Sequence, residues 1–172
     1  MRKIILGLAV SLDGFIEGPN GEFDWCFTDQ DYGMNEFFGQ VDAIIYGRKS
    51  YELVAGMEGG LDQFPKMKNY VFSNTLKAAP PDVTLVSGDV KTVVEYIKGE
   101  PGKDIWLFGG AELTAAFMRQ QLIDEFWLSV HPLILGSGKP LFHPNDQRTW
   151  LELVETKAYE TGLVSLKYKL KR

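Results

Sequence analysis

The sequence predicts a single α/β domain spanning residues 1–172, built on a mixed, mainly parallel sheet flanked by helices, with a C-terminal antiparallel hairpin. Three observations predict it. Short, almost continuously apolar runs recur along the chain, as strands covered on both faces require. Helical spacings separate those runs. Near the end the pattern changes to strict alternation, the mark of a half-solvated strand.

Taken in order, runs rich in β-branched and aromatic residues predict strands at 3–10, 43–46, 70–73, 84–86, 105–108 and 126–131. Met34, Phe37, Phe38 and Val41 share one helical face. Val90, Val93, Val94 and Ile97 repeat that spacing behind Asp89, an N-cap residue. Leu113, Ala116 and Phe117 place another helix after Gly109-Gly110. Residues 151–154 and the alternating Val164, Leu166, Tyr168 and Leu170 predict a hairpin turning near Gly162.

Composition narrows the function. With 172 residues and 45% hydrophobic content, the chain can bury a core without a disulfide or a metal. Its one cysteine, Cys26, excludes an internal disulfide and a Cys-rich zinc module. His131 and His143 have no second ligand at metal spacing, so no metal site is expected. A net charge of −5 argues against nucleic-acid binding. The longest uncharged stretch, 126–138, holds a proline and two glycines and is shorter than a span of about 20 apolar residues, so no membrane insertion is expected. Arg2-Lys3 before an apolar run mimics a signal peptide, but Asp13 follows without a small-residue cleavage site, and the cytoplasm is the expected location.

Two strand–glycine–helix junctions carry the chemistry. One is Tyr46-Gly47-Arg48-Lys49-Ser50, the other Phe108-Gly109-Gly110-Ala111-Glu112. Glycine lets a ligand approach the backbone, and the helix behind it presents unpaired N–H groups and a positive dipole end. Two such junctions in one sheet suit a pyrophosphate. Arg48, Lys49 and Ser50 add cations and a hydroxyl for phosphate oxygens. Ser73 and Asn74 end another strand, and Ser11-Leu12-Asp13-Gly14 follows the first. Each is also explained by a plain turn.

These residues, with His131-Pro132-Leu133-Ile134-Leu135-Gly136-Ser137-Gly138, resemble the dihydrofolate-reductase-like superfamily along essentially the whole chain. Within it the sequence is most similar to the riboflavin-biosynthesis reductase (RibD C-terminal) domains, in stand-alone form. The resemblance implies an NADPH-dependent reductase of a small heterocycle, most like 5-amino-6-(5-phosphoribosylamino)uracil reductase, that works as a homodimer. A dihydrofolate or pterin reductase and a non-catalytic NADPH-binding protein are the alternatives. No H-x-E or C-x-x-C occurs, so a fused deaminase is not expected.

The resemblance also implies site residues. Gly47, Arg48, Lys49 and Ser50 correspond to the element that holds the cofactor's phosphates. Ser73 and Asn74 match the strand end near the adenosine phosphate, and Gly109, Gly110, Ala111 and Glu112 the paired glycines under the pyrophosphate. Ala9, Gly14, Phe15 and Ile16 fall where the nicotinamide is bordered. On the substrate side are Trp25, Asn35, where folate enzymes prefer an aromatic, and Ser129, where they carry a supporting hydroxyl. Asp31, with Asp29 close by, falls at the position of the carboxylate that assists protonation. Asp13 is a second candidate acid, provided burial raises its pKa. His131 and Cys26 read as structural.

Overall fold

A computed structural model describes all 172 residues. In chain order the strands are β1 (Ile4–Ser11), β2 (Phe15–Glu17), β3 (Val41–Gly47), β4 (Lys68–Phe72), β5 (Val83–Val86), β6 (Asp104–Gly109), β7 (Glu125–His131), β8 (Lys139–Pro140), β9 (Leu151–Ala158) and β10 (Val164–Leu170). The helices are α1 (Met34–Gln40), α2 (Arg48–Ala55), α3 (Val90–Gly99) and α4 (Ala111–Arg119). Eight strands form one sheet in the order β5-β4-β3-β6-β1-β7-β10-β9, while β2 and β8 pair separately. β5 through β7 in that order run parallel, and β10 and β9 add antiparallel.

Because side chains alternate along a strand, each central strand feeds two cores. Leu6, Ile45 and Leu107 face Val94 of α3 and Phe117 of α4. Ile5, Tyr46 and Trp106 face Phe37 of α1 and Val54 of α2. The Asp89 carboxylate caps α3 as expected, accepting the Thr92 N–H at 2.9 Å. At the pole where the parallel strands begin, the buried Arg2 guanidinium donates to Asp42 and to the Lys103 carbonyl. That clamp leaves the opposite pole, where the strands end, for binding. No helix is long and apolar enough to cross a membrane.

One local expectation is corrected, and one small sheet was not foreseen. Val41 continues the helical spacing in sequence, yet α1 stops at Gln40 and Val41 is extended, because its side chain joins the core as the first residue of β3. The small β2–β8 sheet carries no periodic signal at three and two residues. It forms because the Asp13 carboxylate holds the Leu135 and Gly136 N–H groups, which brings residues 139–140 against 15–17.

Candidate functional site

The two glycine junctions meet at the C-terminal pole of the sheet. β3 passes through Gly47 straight into α2, and β6 through Gly109 and Gly110 into α4. Neither helix start has a side-chain cap, so the first N–H groups of both are free. Gly110 has φ 72° and ψ 157°, a conformation that essentially only glycine adopts. A Cβ there would stand 3.0 Å from Ser50 Oγ, and one at Gly47 would stand 3.5 Å from the Gly109 carbonyl oxygen. The junctions therefore form one continuous cradle of backbone. Arg48 rims it, its Nη1 2.9 Å from Glu52 Oε2, and Lys49 is exposed beside it. In the first turn of α4 Ala111 is buried and Glu112 exposed.

From this cradle a cleft of about 640 Å³ opens on the α1/α2 face of the sheet. Of the residues the sequence singles out, it gathers Ala9, Ile16, Asp31, Asn35, Ser50, Gly110 and Ser129. Asp31 is exposed at its wall, and its carboxylate accepts the Gly33 N–H at 3.1 Å and the Asn35 N–H at 3.0 Å. Asp29 instead accepts the Tyr32 hydroxyl at 2.6 Å and does not line the cleft. Ser129 lies on β7 beside Ala9 of β1, on the cleft floor.

The other expected residues do not line the cleft. Gly47, Arg48, Lys49, Gly109, Ala111 and Glu112 belong to the junctions outside it. Ser73 Oγ is occupied by its own turn, accepting the Leu76 N–H at 2.9 Å, and Asn74 is exposed beside it. Gly14 and Phe15 sit in the turn and short strand that follow β1.

Asp13 is corrected as an acid. Its carboxylate accepts the Ser11 hydroxyl at 2.7 Å and the Leu135 and Gly136 N–H groups at 3.1 and 2.8 Å. The Ser11 hydrogen bond, helped by the backbone ones, holds its pKa below the usual carboxylate value, so it stays ionised and acts as a loop fastener. Trp25 lies outside the cleft lining. Its indole donates to the Glu22 carbonyl at 3.2 Å and its ring meets His131 edge-on, while Cys26 and Phe27 face the cleft.

His131 is buried and structural. Its Nε2 accepts the Phe27 N–H at 3.1 Å, which leaves Nδ1 to donate to the Ser129 carbonyl at 2.9 Å. Burial holds its pKa down and keeps the ring neutral. Burial likewise pushes the Cys26 thiol up to about 11, too high for a nucleophile.

Residues 2–165 match the RibD C-terminal domain. The chain belongs to that family. This RibD C-terminal domain is 44% identical to the Bacillus subtilis (strain 168) protein YyaP, over 97% of this chain and 94% of that one. It is 29% identical, over 75% of its length and 71% of the relative's, to a Caenorhabditis elegans protein named "Putative dihydrofolate reductase". Among solved structures, the "Putative riboflavin biosynthesis protein" of Shewanella sp. PV-4 superposes with a TM-score of 0.86 at 26% identity, covering 100% of both chains. The Thermotoga maritima diaminohydroxyphosphoribosylaminopyrimidine deaminase/5-amino-6-(5-phosphoribosylamino)uracil reductase shares the fold, with a TM-score of 0.76 at 14% identity. The RibD C-terminal domain covers 99% of its own length and 57% of that longer chain. The fold is thus the dihydrofolate-reductase-like one that the motifs resemble.

Sequence reasoning missed the aromatic wall of the RibD C-terminal domain's cleft. Phe27, Phe38, Phe64, Trp106, Phe108 and Trp127 line it. Part of the signal was present, because Trp106 and Phe108 alternate on β6 and so share one face. Phe27, Phe38 and Phe64 come from three separate segments, and only tertiary packing unites them.

Proposed function

We propose that this RibD C-terminal domain is an NADPH-dependent reductase of a small planar heterocycle. The observation that carries the reading is the meeting of two uncapped helix starts at Ser50 and Gly110, directly beside an aromatic cleft. A phosphate pair suits such a cradle because free N–H groups and two helix dipole ends lie beside the Ser50 hydroxyl, with no Cβ at Gly110 to crowd it. Arg48 and Lys49, the cations beside the cradle, are the residues assigned to a 2′-phosphate. NADPH, when bound, supplies the hydride.

The chain's own residues do the rest. Ala9, Ile16 and Ser129 form the floor on which two flat rings can be aligned. Trp106, Phe108 and Trp127 exclude water from the reacting faces. A hydride transfer to a ring C=N or C=C bond must be matched by a proton at the neighbouring atom. Asp31, exposed at the cleft wall, is the residue placed to relay one from solvent. The names of relatives point to two heterocycles, a phosphoribosylaminouracil and a dihydropterin. The family match and these relatives support the reading.

The testing experiment is a titration with NADPH and NADH that follows tryptophan quenching, since Trp106 and Trp127 line the cleft. Preferential binding of NADPH, then loss of absorbance at 340 nm with a dihydropterin or aminopyrimidine, is expected. Failure of both nucleotides to bind removes the reading.

The protein is also proposed to be a homodimer through β9. That edge strand is solvent-facing along almost its whole length, and Trp150, Leu153 and Val154 are 71, 51 and 58% exposed. Sedimentation at micromolar concentration should give a dimer, and a monomer there overturns this.

A further inference from the structure

The charges around the cleft restrict what enters it. Its only charged lining residues are Glu17 and Asp31, both acidic, and no lysine or arginine lines it. His131, the one histidine there, is held neutral. The nearby cations are already paired with carboxylates. Lys139 Nζ lies 3.0 Å from Glu17 Oε1, and Lys167 Nζ lies 2.8 Å from both Glu36 and Glu155 while stacking over the Trp127 ring. Arg48 and Lys49 stand at the cofactor cradle, outside the cleft lining.

The mouth of the cleft is mixed, with exposed Thr28, Gln30, Asp31, Asn35 and Gln63 beside apolar side chains. Phe23, Met34, Leu53 and Met57 line it, and they are 38, 36, 45 and 38% exposed. A buried anion needs cations or several N–H donors, and phosphate or carboxylate recognition uses arginine above all. Here an anionic tail would meet the Asp31 carboxylate and a Glu17 already paired with Lys139, with no lysine or arginine in the lining to receive it.

Resting on the reductase reading of this cleft, we propose that its substrate is an uncharged planar heterocycle, bearing neither phosphate nor carboxylate. Neutral polar side chains at the walls, Asn35, Gln63 and Ser129, suit the edges of such a ring. This separates the substrate from a ribotide and from a folate with a glutamate tail, both of which carry anions.

The test uses two matched pairs with NADPH-loaded protein. One pair is 5-amino-6-(ribosylamino)uracil and its 5′-phosphate; the other is 6-methyl-7,8-dihydropterin and 7,8-dihydrofolate. Binding is read by tryptophan quenching and turnover by absorbance at 340 nm. In each pair the uncharged member should bind at least tenfold more tightly. Met57→Arg, at the half-exposed mouth, should narrow that preference severalfold in favour of the anion. Equal or reversed preference in the native protein overturns the proposal, while continued NADPH oxidation leaves the reductase reading intact. Binding of no member also overturns it, as does a Met57→Arg protein with unaltered selectivity. Tenfold preference without any NADPH oxidation upholds the ligand class and fails the reductase reading instead.

Discussion

A Cβ placed on Gly110 would lie 3.0 Å from the Oγ of Ser50, so the first turns of α2 and α4 touch through a glycine and a serine. Gly110→Ala should therefore do two things. Its backbone conformation costs an alanine on the order of 1–3 kcal/mol. The added methyl also narrows the cradle, and NADPH affinity should fall at least tenfold by titration. Gly39→Ala is the control. That glycine lies inside α1 with open space around its Cβ, and the change should raise stability by about 0.5–1 kcal/mol without altering nucleotide binding.

Arg48→Ala should weaken NADPH by about tenfold, a loss of ~1.4 kcal/mol, and NADH much less. Equal weakening of both in parallel titrations would place the 2′-phosphate elsewhere.

The two aspartates should part company. Asp31→Asn should lower kcat by about a hundredfold or more, the usual range for a proton donor, and leave NADPH binding unchanged. Asp13→Asn should instead loosen the fold in a pH-dependent way. Because the folded pKa of Asp13 is depressed, its contribution is full above the unfolded carboxylate value of ~3.9 and is lost as pH falls through the lower folded value. Urea unfolding of native and Asp13→Asn proteins should differ at pH 7, and the difference should shrink as pH falls below ~3.9.

Tyr46→Phe should not harm stability and should raise it by about 1 kcal/mol. The Tyr46 hydroxyl is fully buried with no hydrogen-bond partner, and burial pushes its pKa far up. The denaturation midpoint reports the change. A drop would mean that an ordered water serves the hydroxyl.

Much of this molecule was legible before folding. β1, β6 and β7 announce themselves because both faces of each are buried, which leaves unbroken apolar runs such as Ile4-Ile5-Leu6. The cradle was legible for a different reason. Only glycine tolerates Gly109 at φ 99° and Gly110 at φ 72°, so the backbone demand is written into the sequence. The cleft was less legible, because its walls are generic core residues until packing leaves one side of them open. Asp13 illustrates the limit. A carboxylate after a strand looks like an acid or a turn, and only the distant N–H groups of Leu135 and Gly136 reveal it as a fastener.

β1 has consequences for the order in which the protein can assemble. Its only neighbours in the main sheet are β6 and β7, with Ile4 opposite Ile105 and Ile5 opposite Glu125. At a synthesis rate of about 5–20 residues per second, the first strand waits on the order of 5–20 seconds for a partner. During that interval a sticky, unpaired segment trails the ribosome, while the Arg48 helix can already have formed. Contacts so distant in sequence slow folding and invite aggregation. The floor of the cleft, where Ala9 lies against Ser129, is thus completed only after most of the chain has been made, and a truncated chain lacking β7 has no such floor.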